Sequence, residues 1–366
     1  MKTIVIDTRK IDSSTGFYMQ HLLRQLNDRY ANEFRFVALV PSLTREQWAK
    51  QFPHITIAEA DEASYSLAEQ TSFVARLESH HPDLVHFTMP QQPFLWVKPA
   101  VTTIHDLTLV RYDNIDMNKL LYKVRKGVFI SLLRTVIMRS RAIITPTHYV
   151  RDDLIDYAGK RFAPKIHVTH EAGDPVRSEP EVIPQIADKQ FIFYVGNAFP
   201  YKNVQHVIDG FVQLRRDYRD LQLVLAGKKD AFYKEHEQYV RSRRIRGVHF
   251  LGFISPGEKR WALQHCVAYV TASLSEGFNI TLLEAMYEGA PAVISDATCH
   301  REVAGTAALF FDPASTSDLV TTVSSLIDDP SLRQKMIKKG TARVKEFSWA
   351  RMADETVAVY RTVLKN

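Results

Sequence analysis

The chain has 366 residues, 45% hydrophobic and 24% charged, with 14 glycines and 16 prolines spread along it; such a composition excludes a disordered or fibrous chain and fits an ordinary folded protein of about two domains. Its 47 basic and 41 acidic residues leave a net charge of +6, which points to an anionic partner: a phosphorylated small molecule, a nucleic acid or an anionic membrane surface. No stretch approaches about 20 uninterrupted apolar residues, Asp7 and Arg9 cut the first apolar run short of a signal core, and Cys266 and Cys299 stand apart without metal-ligand spacing, so the expectation is a cytoplasmic protein with free thiols and neither disulfide nor zinc.

Along the chain, short β-branched and aromatic runs alternate with helix-length amphipathic segments. TIVIDT, FRFVALV, DLVHFT, AVTTIHD, AIITPT and KIHVTHE form a first set, and FIFYVG, LQLVLAG, VHFLGF, AYVTAS, AVISD and ALFFDP a second. This alternation predicts parallel sheets covered by helices on both faces. Between the sets, GDPVRSEPEVIPQIADKQ is rich in proline and acids and poor in periodicity, which reads as a linker over 173–190. The prediction is an α/β protein of two doubly wound domains in tandem, and ligands in such sheets bind beyond the carboxyl ends of the strands.

Several strand ends carry candidate residues. After TIVIDT, Gly16 opens a helix in RKIDSSTGFYMQHLL, a weak phosphate-loop signal. His105 follows AVTTI and so stands at a carboxyl strand end, as a functional histidine, a structural one or part of a His-Asp metal pair. From Lys119 to Arg141 the chain carries Lys119, Lys123, Arg125, Lys126, Arg134, Arg139 and Arg141 and no acid. That segment is either a core-packed helix with a solvated face or one resting on an anionic membrane leaflet. YVGNAFPYKN reads as a strand ending at Gly196, a loop, and a helix opening at Asn203, with Lys202 placed to hold a diphosphate or simply solvated on the turn.

The stretch SLSEGFNITLLEAMYEGAPAVIS sets Glu276 and Glu284 eight residues apart. Its helix is predicted to begin near Ile280 with Asn279 as N-cap and to end at Gly289 before Pro291; Leu282, Ala285, Met286 and Gly289 would face the sheet. Glu284 falls off that face and leans back over Ile280. With a phosphate on the amides of residues 279–281, Glu284 would lie beside the group hanging from it and could accept from a vicinal diol, as in a ribose. Glu276 would face the other end of the ligand. Two solvated glutamates on a surface turn is the plainer alternative.

EGFNITLLEAMYEGAPAVISD resembles the glutamate-x7-glutamate motif of retaining glycosyltransferases of family 4, which have the GT-B fold: two Rossmann-like domains facing a central cleft. The likeness extends over nearly the whole chain. YVGNAFPYKN looks like the donor-phosphate loop, LAGKKD the next strand end, GFIS the base-contacting turn, TTIHDL the acceptor-domain histidine loop, and FSWARMADETVAVYRTVL the closing helices. The resemblance implies an acceptor-binding domain over 1–175, a nucleotide-sugar-binding domain over 176–345 and a C-terminal helix over 346–366 that crosses back to the first domain.

It also implies roles. His105 contacts the donor sugar and Asp106 shapes its loop; Lys202 stabilises the leaving diphosphate; Glu276 binds sugar hydroxyls and Glu284 the ribose. The remaining donor contacts fall at Gly16, Asn197, Phe253, Ile254, Gly277, Phe278, Asn279, Ile280 and Thr281. Asn197 stands where the family often has arginine, and Ser14 takes the first place of a frequent Gly-x-Gly, leaving Gly16 alone for close backbone approach. Without a D-x-D pair to hold a metal, the implied reaction is metal-independent transfer of a hexose from a nucleotide-diphospho-sugar, GDP-mannose first and a UDP-hexose second, to a glycan or lipid-linked acceptor. With no side chain an obvious nucleophile, unlike the carboxylate pair of retaining glycosidases, same-face attack is the expected route. A sugar-nucleotide epimerase or hydrolase could share the fold. A nucleic-acid-binding protein fits the charge, but no recognised reading motif is present, so no nucleic acid is expected.

Overall fold

The computed structural model describes residues 1–13, 15–113 and 119–365; Ser14 and the side chain of Lys119 lie outside the described residues. The chain divides into two compact units. One comprises Met1–Leu107, Lys119–Glu171 and Ser348–Asn366, the other Thr108–Asn118 and Ala172–Phe347.

The first unit holds a seven-stranded parallel sheet: β1 (Lys2–Asp7), β2 (Phe34–Val40), β3 (Thr56–Glu59), β4 (Leu84–Phe87), β5 (Ala100–Thr103), β6 (Ala142–Thr145) and β7 (Ile166–Val168), in the order β3-β2-β1-β4-β5-β6-β7. The second holds six parallel strands: β8 (Phe191–Val195), β9 (Gln222–Ala226), β10 (Val248–Gly252), β11 (Ala268–Thr271), β12 (Ala292–Ser295) and β13 (Ala308–Phe311), in the order β10-β9-β8-β11-β12-β13. Every run predicted as a strand is one; β3 is an addition. Most strands are buried along nearly their whole length, as sheets covered on both faces require. Strand order reverses between β1 and β4 in the first sheet and between β8 and β11 in the second, so the loops after those strands diverge and leave a crevice at each carboxyl edge.

The C-terminal helix Trp349–Lys365 is part of the first unit. Trp349 stacks on His21 with ring centroids 4.3 Å apart, the Tyr360 hydroxyl meets His86 Nδ1 at 2.6 Å, and Arg361 bridges Glu33 at 2.6 Å.

The 173–190 segment is irregular, yet it is not a loose linker. It docks along the second unit: Val176 N donates to Glu288, Glu181 N to the Gly257 carbonyl, Arg260 donates to the Ser178 carbonyl, and Ile183 and Ile186 are buried. A Cβ on Gly173 would stand 2.6 Å from the Leu283 Cβ. Proline and acidic residues deny the segment regular structure, while its few apolar side chains still find a groove to fill.

Gly16 opens the helix Gly16–Arg29, and a Cβ there would lie 1.8 Å from the Ile11 carbonyl oxygen. The close backbone approach expected at this glycine is thus met first by the chain itself. Gly16→Ala should destabilise the free protein by about 1–3 kcal/mol through overpacking, read as a lower midpoint in urea unfolding without any ligand present; an unchanged midpoint would show that the turn relaxes freely.

Candidate functional site

The second unit's crevice is built from the loops after β8 and β11. After β8 the chain runs through a single 3-10 turn, Pro200–Lys202, and Asn203 takes a left-handed conformation (φ 54°) before the helix Val204–Asp217. After β11 the loop carries Glu276 and ends at Asn279, also left-handed (φ 72°), which caps the helix Ile280–Tyr287 by accepting from Leu282 N at 3.2 Å. Asparagine tolerates this backbone better than most residues because its short amide bonds locally. The loops are tied together where Leu274 N donates to the Tyr201 carbonyl at 2.7 Å. Thr108 and Tyr112 reach the same loop, at the Ser275 hydroxyl (2.7 Å) and the Leu274 carbonyl (3.2 Å), which is why this stretch groups with the second unit.

These loops bring Lys202 and Glu276 together. The Lys202 ammonium lies 2.5 Å from Glu276 Oε1, and the same oxygen accepts from the Ser273 hydroxyl at 2.7 Å. Both side chains are largely shielded, 18% and 12% exposed. Burial pushes the Glu276 carboxyl up, but the Lys202 charge and the hydrogen bonds from Lys202 and Ser273 outweigh it and hold the carboxyl below its usual value. Glu284, half-buried on the motif helix, pairs with Lys259 at 2.5 Å. Each glutamate of the motif therefore holds a lysine in the free protein.

Around this pair, Leu282, Ala285 and Met286 pack inward as their spacing predicts, and Leu283 is buried too because the 173–190 segment covers it. The Phe278 ring is buried against Phe347, centroids 5.4 Å apart, so its side chain is core. Gly277 is buried; Ile280 and Thr281 are half-buried at the helix start. In GFIS, Gly252 is left-handed (φ 74°) and Phe253 is 88% exposed, with Ile254 half-buried beside it. Asn197, where the family often has arginine, has a buried Oδ1 without a hydrogen-bond partner, and its carbonyl accepts from the Tyr194 hydroxyl.

In the first unit, His105 follows β5 with Nδ1 at 3.0 Å from Glu171 Oε1 and Nε2 at 3.0 Å from the Thr88 carbonyl. Both ring nitrogens face acceptors, an arrangement that favours the doubly protonated ring. Burial opposes that charge; the bond to Glu171 and its charge, the Thr88 carbonyl and nearby Asp106 prevail, and the pKa stands above the ordinary histidine value. Beside it, a cavity of about 350 Å³ opens at the carboxyl ends of β1 and β4, lined among others by Ser13, Thr15, Tyr65, Thr88 and Gln91. Arg9 also lines it but is fully engaged: by Asp7 and Glu69, both at under 3 Å, by the Glu62 carbonyl, and by the Phe73 ring beneath it. The buried Gln91 Oε1 has no partner.

Lys259, His300, Ser273 and Glu171 were not singled out from the sequence. Lys259 lies in the first turn of a helix after the GFIS turn, a position that could have flagged it; the other three carry no local pattern, because their partners come from distant segments.

Residues 16–177 match the family described as glycosyltransferase family 4, and residues 177–343 the one described as glycosyl transferases group 1. The O-antigen chain mannosyltransferase B of Escherichia coli is 26% identical over 275 residues, 72% of this chain and 70% of that one. Among solved structures, the sucrose-phosphate synthase of Thermosynechococcus elongatus superposes with a TM-score of 0.80 at 17% identity, covering all of both chains. Anabaena HepE in complex with UDP-glucose superposes with a TM-score of 0.75 at 16% identity, covering 99% of this chain and 100% of that one. The shared architecture is the GT-B fold.

The charged state of His105 has a measurable consequence. A folded pKa above the unfolded value of about 6.5 contributes stability that is complete below that value and is lost as pH rises through the folded pKa. Glu171→Gln should lower the pH at which the His105 ring titrates, followed by its Cε1 proton resonance, and should shrink the stability difference between about pH 5.5 and about pH 8.5. An unchanged titration would remove Glu171 as the cause.

Proposed function

We propose, from the premise that this chain belongs to family 4 of the glycosyltransferases, that it is a retaining hexosyltransferase whose second unit binds a nucleotide-diphospho-sugar and whose first unit binds the acceptor. The observation that carries this reading is the Lys202–Glu276 pair at the β8/β11 switch point, beside the N-terminus of the Ile280–Tyr287 helix. A diphosphate is what that place suits: a lysine for its charge and first-turn amides that lack helical partners. As the diphosphate takes over Lys202, Glu276 is released to accept from sugar hydroxyls, and Glu284 can accept from the ribose diol while still beside Lys259.

The proposed reaction breaks the bond between the anomeric carbon and the diphosphate and forms the new glycosidic bond on the same face. The departing phosphate oxygen takes the acceptor proton, and Lys202 with the amides of residues 279–281 stabilises its growing charge. GDP-mannose comes first as donor because the Escherichia coli relative is named a mannosyltransferase, and a UDP-hexose second because the Anabaena neighbour was solved with UDP-glucose. The first unit's pocket suits a glycan hydroxyl as acceptor: hydroxyls line its walls beside the exposed Lys10, Arg9 is consumed internally, and Gln91 Oε1 awaits a donor.

Thermal shift with GDP-, UDP-, ADP- and dTDP-sugars tests the donor. A bound sugar nucleotide at about 100 times its Kd should stabilise the protein by about 2.7 kcal/mol, and with the one that binds, Glu284→Gln should mainly raise donor KM while Lys202→Ala mainly lowers kcat. Wild-type kcat/KM in either variant would remove that residue's role. Nucleoside diphosphate released equally without acceptor would point to a hydrolase.

A lipid-linked acceptor at the inner face of the membrane is proposed for the basic segment at 119–141. Its helix Lys119–Arg139 buries Phe129, Leu132, Leu133, Val136 and Ile137, but Leu120, Val124 and Val128 are 73%, 57% and 42% exposed at i, i+4 and i+8, with Lys123 and Arg125 exposed among them. No helix among the described residues is long and apolar enough to cross a membrane. An apolar stripe flanked by cations suits the surface of an anionic leaflet, each juxtaposed Lys or Arg adding about 1 kcal/mol. Co-sedimentation with anionic liposomes should be strong at low salt, fade towards about 1 M where the screening length is about 3 Å, and weaken in Lys123→Glu/Val124→Asp; equal binding to neutral liposomes would speak for a soluble acceptor.

A further inference from the structure

The donor reading leaves a buried titratable side chain unused. His300 opens the short helix His300–Ala304 after β12 and is fully buried. Its Nδ1 lies 2.9 Å from the Ser295 carbonyl, which can only accept, so Nδ1 carries the proton. Nε2 lies 3.0 Å from Asn279 Nδ2, whose other amide atom, Oδ1, already accepts from Leu282 N. The Asn279 amide thus points its N–H at the ring, and Nε2 must accept. Both contacts are satisfied only by the neutral ring.

The same imidazole reaches the other end of the motif. Ser295 Oγ stands 3.2 Å from Nδ1 and donates to the Ser273 carbonyl at 2.6 Å, and the Ser273 hydroxyl holds Glu276. A continuous chain of bonds therefore runs from the cap of the Ile280–Tyr287 helix through His300 to the carboxylate paired with Lys202.

We propose that His300 is a positioning residue of the donor site: as a neutral imidazole it fixes the Asn279 side chain, and through it the left-handed backbone that aims the first-turn amides at the donor diphosphate. The inference rests on the donor reading above. Protonation would set an N–H of the ring against the Asn279 N–H and break the cap's anchor. Of the charged groups facing the ring, Glu276 and Asp296 favour protonation and Lys202 opposes it; burial outweighs the acids and keeps the pKa below the usual histidine value.

Three substitutions separate positioning from packing. His300→Gln presents an N–H and a carbonyl on one planar amide and can replace both contacts; His300→Asn reaches Ser295 but falls short of Asn279; His300→Leu keeps only bulk. The probe is whichever of GDP, UDP, ADP and dTDP binds wild type best by calorimetry, together with donor kinetics and thermal melting. The Leu and Asn variants should raise the probe Kd about tenfold, the scale of one neutral hydrogen bond, and lower donor kcat/KM at least as much, while Gln stays within about twofold of wild type. Folded Leu and Asn variants that bind like wild type, or a Gln variant no better than Asn, would overturn the inference while leaving the donor reading standing. If Leu does not fold, the Asn and Gln pair decides alone. A wild-type protein that binds none of the four probes overturns the donor reading and this inference with it.

Discussion

A carboxylate cannot stay ionised in a protein interior without a counter-charge, and much of the second unit's crevice is arranged around that rule at Glu276. Its partner Lys202 reaches it only because the 3-10 turn Pro200–Lys202 and the left-handed Asn203 bend the chain back after β8. The Glu276 loop is held in turn by the Leu274–Tyr201 backbone bond and by Ser273. Removing either charge would strand the other where solvent barely reaches it. On the donor reading proposed above, the pair keeps the free site in shape, with an internal anion standing where the donor diphosphate would bind.

The first unit solves the converse problem, a buried cation, and a neighbouring histidine shows what decides the outcome. His86 lies on β4 with Tyr360 and Thr103 hydroxyls at its two nitrogens, and burial with no carboxylate at hand drives its pKa down to about 3. His105, half-buried, has Glu171 at 3.0 Å and goes the other way. One carboxylate separates a ring whose pKa is driven down from one whose pKa is raised.

Most of this architecture was legible in the sequence because buried parallel strands write themselves as short continuous apolar runs. The exception, β3, is four residues long and reads TIAE, an edge strand with exposed ends that composition does not mark. The motif helix and its asparagine cap were legible because capping is local. What could not be read is what distant segments supply: His300 for Asn279, Glu171 for His105, and a 173–190 segment that looks like a tether yet covers Leu283. Gly16 shows a different limit, since its sequence context cannot tell a ligand's approach from that of the Ile11 carbonyl.

The charge balance is also more informative once the pairs are known. At the second unit's motif, Lys202 and Lys259 cancel Glu276 and Glu284, so these four groups bring a diphosphate no net positive charge. On the donor reading, attraction there comes from exchange of partners and from oriented amides, short-ranged terms that act once the ligand has arrived. The molecule's surplus of +6 has to be sought elsewhere, and the 119–141 segment alone carries seven Lys and Arg without an acid. The high isoelectric point belongs to the first unit rather than to the motif of the second, and on the membrane reading proposed above its long-range field would act on a surface rather than on a substrate.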